Sequence, residues 1–448
     1  MARAETAQAR LAGSLRCGAG VQALCVLALA PRERGPASDA FAAARVVACG
    51  DAAGALTLWD SETRRAVARR AGAHCARYGV LALREAGVGR LLSQGRDGWV
   101  RCWAWAALCP EAAPLWELRT GSQGFARASV AGCVLACASD DANSINVWGL
   151  PGRAGEGEGE GEGEGEGEGA AAGADGVGEL AELLADAGNS GAAPGALLVP
   201  PPRDVGAVGM CMDLALASSG DGSADGSSLP QVLMLMAMFE NGSLYCYDLR
   251  AREWCEDVAL ALLERVPISL DIVTSTNVGG GIKVRGVACG VSWSLAAFSL
   301  ELGSVRRRAR VVKTVRLKQA AASGSSEQEQ QQQELEAAEE EQRVGFSQVC
   351  VAPNSRVLAC AGWDGTVRLV DWHHMTLLAV LKQHTKNARA VAFSGDSELL
   401  VSGSEDAHVA LWKLPSLAAA AVAKASSSHH HHHQQHPTTT TPSKGNIR

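Results

Sequence analysis

Two stretches of the chain set a histidine, a serine and an aspartate at matched spacing. His384 precedes Ser402 and Asp406, with Trp412 six residues past the aspartate; His74 precedes Ser93 and Asp97, with Trp103 again six past it. Serine, histidine and aspartate are the groups of an acyl-transfer triad, in which the imidazole takes the serine proton and the carboxylate orients the imidazole. They equally suit a buried hydrogen-bond chain. In that chain the turn aspartate holds the imidazole, the serine hydroxyl extends the link and the indole N–H ends it, so that every buried polar group has a partner. Duplication decides between the two, because a triad is one constellation in one site and has no reason to recur in separate segments. The eight residues are therefore expected to be structural, and no catalytic residue is assigned.

Other chemistry is sparse. No glycine-rich phosphate loop ending in lysine and no paired metal ligands occur, so no cofactor, metal site or enzymatic activity is expected. Fourteen cysteines, none in a C-x-x-C pair, sit mostly among Val, Leu and Ala and read as reduced, buried small hydrophobes. His429 to His433 with His436 could chelate transition metals, but they belong to a tail of Ala, Ser, His, Gln, Thr and Pro that lacks a hydrophobic pattern and is expected to be disordered. Val305 to Lys318 carries seven basic residues in fourteen; it reads as a solvated outer strand balancing the glutamates that follow, or as a localisation patch.

The elements that position these residues follow from an internal repeat. Leu91 to Trp103 and Leu400 to Trp412 each show a short apolar strand, a turn with aspartate, and an alternating strand closed by tryptophan. Val46 to Trp59 and Leu358 to Val370 repeat the pattern, and weaker copies end at Trp148, Tyr247 and Phe298. The spacing of these closing residues falls near the 40–45 residues of a four-stranded propeller blade, once two low-complexity insertions are set aside. One runs from about residue 151 to 202 and contains the Gly-Glu run Gly155–Gly169; the other is Gln/Glu-rich, about 319 to 343. The expectation is an all-β, seven-bladed propeller over residues 1–414, with a disordered tail over 415–448. The N-terminal segment is expected to supply the outer strand of the last blade.

Composition agrees with a soluble repeat protein. Apolar residues make up 47% and charged residues 20%, while Trp (11) outnumbers Phe (6) and Tyr (3), as a tryptophan-closed repeat requires. The net charge of −7 equals the seven glutamates of the Gly-Glu run, so nothing in it points to nucleic acid or to a membrane. No apolar run approaches the roughly 18 residues of a membrane span, and Val21 to Ala30 fits a buried strand better than a signal-peptide core.

Blades that end in Trp after an aspartate turn, with His in the preceding loop, resemble WD40 repeats. Ala361 to Leu381, Val391-Ala-Phe393, Ser402-Gly-Ser404, Thr63 to Val67 and Leu92 to Asp97 extend the resemblance to the G-protein β-like, ASTRA-associated group of WD40 adaptors. The resemblance implies a non-enzymatic scaffold in cytoplasm and nucleus. It would act with the TTT co-chaperone in maturing phosphatidylinositol-3-kinase-like kinases and with the chromatin-linked ASTRA assembly, without direct contact to nucleic acid, membrane or a small-molecule substrate. Partner contacts are then expected at the narrower face and channel mouth, where Arg96, Trp99, Trp363 and Asp364 lie in or beside the turns. Trp363 is the foremost, since aromatic anchors are over-represented at binding hot spots. Tyr247, Asp248 and Arg250 resemble the box by which some WD40 proteins dock to the adaptor of cullin-four ubiquitin ligases, which gives a second reading. A G-protein β-like signalling scaffold is a third, disfavoured because Met1 to Arg16 shows no sustained heptad.

Overall fold

The computed structural model describes residues 9–414 except 29–44, 88, 133, 151–196, 203–207, 219–232, 277–280, 303–306 and 318–343. The first strand, β1 (Arg10–Arg16), is followed by β2 (Val21–Ala28), β3 (Arg45–Asp51), β4 (Leu56–Asp60) and β5 (Ala66–Arg70), which form blade one. Blade two is β6 (Val80–Glu85), β7 (Arg90–Gly95), β8 (Trp99–Ala104) and β9 (Trp116–Arg119). Blade three is β10 (Ser129–Ala131), β11 (Val134–Ala138), β12 (Ile145–Gly149) and β13 (Leu197–Val199). Blade four is β14 (Cys211–Ser218), β15 (Leu233–Phe239), β16 (Ser243–Asp248) and β17 (Glu253–Ala261). Blade five is β18 (Pro267–Thr276), β19 (Ile282–Gly290), β20 (Ser292–Leu302) and β21 (Arg307–Arg316). Blade six is β22 (Phe346–Val351), β23 (Val357–Gly362), β24 (Thr366–Asp371) and β25 (Leu377–Lys382). Blade seven is β26 (Ala388–Phe393), β27 (Leu399–Ser404) and β28 (His408–Lys413), and β1 completes it by pairing antiparallel with β28.

The seven antiparallel sheets form a β-propeller. Their middle strands are apolar on both faces, as in the fully buried β11 and β15, because each sheet is covered by a neighbour on either side. The core is accordingly divided into seven clusters, one at each seam. One cluster joins Leu58 and Val46 of blade one to Leu83 and Trp103 of blade two, and another joins Leu15 and Val401 of blade seven to Leu24 and Val47 of blade one. A blade buries its apolar faces only against other blades, so all seven depend on closure of the ring.

One boundary differs from the sequence expectation. The insertion expected to run to about residue 202 ends earlier, because Leu197–Val199 pair with β12 as β13 and bury Leu197 and Val199 in the seam with blade four. Three apolar residues suffice for a short strand once a seam is there to receive them, and a Gly/Ala/Pro-rich surrounding hides them in sequence. The carbonyl of Pro200 also accepts a hydrogen bond from Trp254 Nε1 at 2.9 Å. The Gly-Glu run, residues 319–343 and the histidine-rich tail lie outside the described residues. No described helix is long and apolar enough to cross a membrane.

Candidate functional site at the channel mouth

Each blade places the loop into its first strand and the turn between its second and third strands at the same end of the ring. His74 lies in the loop before β6 and Asp97 in the β7–β8 turn, with Nδ1 3.0 Å from Asp97 Oδ1. A carboxylate only accepts, so Nδ1 carries the proton and Nε2 takes the hydroxyl proton of Ser93 at 2.8 Å. Ser93 Oγ in turn accepts from Trp103 Nε1 at 2.8 Å. Blade seven repeats this: His384 Nδ1 is 3.3 Å from Asp406, Nε2 is 2.9 Å from Ser402 Oγ, and Trp412 Nε1 donates to Ser402 Oγ at 3.0 Å. Ser93 and Ser402 are both 0% exposed, so both hydroxyls are shut off from solvent.

The electrostatics fit this accounting. Burial raises the Asp97 carboxyl, but the hydrogen bonds from His74 and the Cys75 amide outweigh it and bring the pKa to about 2. Asp406 is also lowered: burial is again overcome, by the Thr385 and His408 amides first and by His384. Burial lowers His384 and keeps its imidazole neutral. A Cβ at Gly95 would collide with the His74 ring and the Asp97 carboxylate; blade seven carries Ser404 there and the longer His–Asp distance.

The chain explains fewer tryptophans than the sequence suggested. Among the described residues only Trp103 and Trp412 end such a relay. Cys49 stands ten residues before Trp59 where Ser93 and Ser402 stand before theirs, and the buried Nε1 atom of Trp148 has no hydrogen-bond partner among the described residues. Cys75 and Cys109 are exposed loop residues, unlike most described cysteines.

A second polar system, unforeseen from the sequence, stitches the inner strands around the channel. Gln94 accepts from the Ala128 amide at 2.7 Å and donates to the Ala126 carbonyl at 3.1 Å, tying blade two to blade three. Asp213 accepts from the amides of Arg127 at 3.2 Å and Leu270 at 2.8 Å, spanning blades three to five. Asp271 takes the Val351 amide at 2.6 Å, and Gln348 takes that of Val391 at 3.0 Å, continuing to blades six and seven. Burial pushes the Asp213 carboxyl up despite the opposing charge of Arg127, and pushes Asp271 up to about 6. The available signal was a lone polar residue inside an apolar strand, as in Cys211-Met-Asp-Leu-Ala-Leu-Ala217.

Above these stitches the mouth opens into a cavity of about 450 Å³ lined by residues of every blade but the fourth. Arg77, Arg96, Arg127 and Arg389 line it with Tyr78, Phe125 and Trp363, and no carboxylate among the described residues does. Arg389 Nε bonds Glu405 at 2.6 Å, and Arg127 lies 3.5 Å from Asp213 and donates to the Ser347 carbonyl at 2.7 Å. Arg96 stacks on Phe125, 4.5 Å from the ring centre, and Arg77 lies 5.5 Å from that of Tyr78. Trp363 is half-buried; its amide bonds the Gly345 carbonyl at 3.0 Å, and a Cβ at Gly345 would press on the indole.

Of the four expected contact residues, Arg96 and Trp363 thus meet in one cavity. Trp99 lies outside its lining, beneath the Arg101 guanidinium at 5.3 Å. Asp364 is also outside it, and its carboxylate is held 2.7 Å from the buried Arg368, which stacks 3.9 Å from the Trp293 ring centre.

A family model described as "WD domain, G-beta repeat" matches residues 333–371 and 375–413, the segments that carry blades six and seven. The chain carries WD40 repeats. It is 27% identical over 181 residues to mouse guanine nucleotide-binding protein subunit beta-like protein 1, covering 40% of this chain and 44% of that one. It is 34% identical over 70 residues to ASTRA-associated protein 1 of Schizosaccharomyces pombe, covering 16% and 19% of the two chains. Zebrafish apoptotic protease-activating factor 1 matches at 32% over 64 residues, 14% of this chain and 5% of that one. Each match spans less than half the length of the relative.

In this WD40 propeller the three residues of the ligase-docking box are divided between core and turn. Tyr247 is buried, edge-on to Trp254 at 5.1 Å between ring centres. Asp248 Oδ1 caps the amides of Arg250 and Ala251 at 3.0 and 3.1 Å, and Oδ2 pairs with Arg307 at 3.0 Å. Arg250 is exposed at the turn. Arg307 belongs to β21, the outer strand that carries the basic stretch.

Proposed function

We propose that this WD40 protein is a non-enzymatic adaptor. It acts with the TTT co-chaperone in maturing phosphatidylinositol-3-kinase-like kinases and with the ASTRA assembly, in cytoplasm and nucleus. The observation that carries a scaffold role is the cavity at the channel mouth, where residues of six blades surround a half-buried tryptophan and four arginines. Arg, Trp, Tyr and Phe are the residue types enriched in protein interfaces. The name of the fission-yeast relative, ASTRA-associated protein 1, supports the choice of assembly. Burial of both relay serines supports a structural rather than catalytic use of the His/Ser/Asp sets.

The test is affinity purification of the tagged chain with mass spectrometry of co-purifying proteins, beside a Trp363→Ala variant. Recovery of TTT subunits and these kinases, lost selectively from the variant, is the expected result. Recovery of the cullin-four adaptor in their place would transfer the function to the Tyr247, Asp248 and Arg250 box.

A further inference from the structure

Buried polar atoms without hydrogen-bond partners are unusual in folded proteins and call for an explanation wherever they gather. Four of them line this one cavity: Arg96 Nε, Arg127 Nη1, Ser347 Oγ and Trp363 Nε1. Three are donors only and the fourth can donate. Arg127 has Asp213 at 3.5 Å as an ionic neighbour, and Arg389 has Glu405, but Arg77 and Arg96 have no carboxylate within ion-pair distance among the described residues. At Arg77 and Arg96 the mouth therefore offers positive charge with no carboxylate opposite it among the described residues. Around these donors stand aromatic surfaces open to solvent: Phe125 is 49% exposed and Tyr78 is 38% exposed.

We infer that the channel mouth binds an acidic peptide segment of a protein partner, its carboxylates on Arg77 and Arg96 and an adjoining apolar side chain against Trp363 and Phe125. This rests on the scaffold reading and gives the partner a chemistry. An acceptor-rich ligand answers the donors, since guanidinium and indole N–H cannot satisfy one another. Carboxylates answer the charge, and an apolar anchor answers the exposed rings. A peptide fits the whole better than a free anion, because Phe125 and Tyr78 would stay wet over a small ion while a peptide side chain covers them.

Fluorescence anisotropy with the full chain tests this. The probe is a short fluorescein-labelled peptide in which glutamates flank a single phenylalanine; its partner probe carries glutamine at every glutamate. The glutamate peptide should bind saturably and more weakly as salt rises, and the glutamine peptide should not bind. Arg77→Ala combined with Arg96→Ala should weaken binding about tenfold or more, the scale of a lost charge-assisted bond. Arg310→Ala, on the basic outer strand, should leave it unchanged. Equal binding of the glutamine peptide, no binding of either, or an equal loss in Arg310→Ala would overturn the inference. If the double variant lacks a cooperative melt, Arg77→Ala alone carries the test, because that side chain is exposed at the rim. Recovery of the expected complexes without peptide binding refutes this inference alone; peptide binding without those complexes refutes the proposed assembly alone.

Discussion

The Arg96 guanidinium lies 4.5 Å from the centre of the Phe125 ring, so the turn of blade two is clamped to the segment that enters blade three. At a half-exposed site such a cation–π contact is worth about 0.5–1 kcal/mol. A double-mutant cycle of Arg96→Ala and Phe125→Ala, read by urea unfolding, should return a coupling of that size. A coupling indistinguishable from zero would mean that the two residues are held apart from each other by their own loops.

The two relays predict a graded response. Asp406→Ala removes the acceptor of a buried imidazole and leaves His384 and the Thr385 and His408 amides underbonded, which costs about 1–3 kcal/mol. Gly95→Ala should be comparably damaging, because its methyl group enters the space shared by His74 and Asp97. Ser404→Ala, at the equivalent position of blade seven, removes a bond to the Lys386 carbonyl and one from the Asp406 amide but leaves the His384, Ser402 and Trp412 links in place, and should cost less. Chemical denaturation of the three variants ranks them; Gly95→Ala as mild as Ser404→Ala would show that blade two can relax around the methyl group.

Seven blades were legible because each closing strand ends at a countable position and each strong turn carries aspartate. The relays were legible for the same reason, since His, Ser, Asp and Trp keep their spacing in both copies. The cavity was not. Arg77 comes from blade two, Phe125 and Arg127 from the segment entering blade three and Arg389 from blade seven, and they share no local pattern, so only the folded ring gathers them with Arg96 and Trp363. The inner-strand stitches escaped for a related reason, because the partner of Asp213 or Gln348 is a backbone amide in the next blade and carries no sequence identity. Strand β13 was lost inside a window whose average composition cannot build a core.

Acid response should separate two of the carboxylates. The channel-wall carboxyl of Asp271 has a folded pKa raised to about 6, so the charged form is penalised in the fold. Its contribution becomes more favourable as pH falls from about 7 towards 4. Asp97 is lowered to about 2, so its stabilisation is full above its unfolded value near 4 and is lost as pH falls towards 2. Melting temperatures of the wild type and Asp271→Asn, taken across this range, should show the wild type gaining on the variant between about pH 7 and pH 5. Parallel curves would mean that Asp271 titrates normally in the channel.

Closure of the ring by its first strand gives the last prediction. Along β1, Leu15 lies opposite Val409 and is 2% exposed in the seam between blades seven and one, whereas Leu11, opposite Trp412, is 44% exposed. The next residue extends the pairing, with the Cys17 amide on the Ala407 carbonyl at 2.8 Å. Leu15→Ala should therefore cost about 2–4 kcal/mol, and Leu11→Ala well under half of that. Deleting residues 1–16 exposes the edge of β28 and uncovers the seam, so it should lower the melting temperature of the whole propeller rather than of one blade, because every seam depends on the closed ring. An unchanged melting temperature after the deletion would show that β28 can serve as an edge strand and that β1 decorates the ring without closing it.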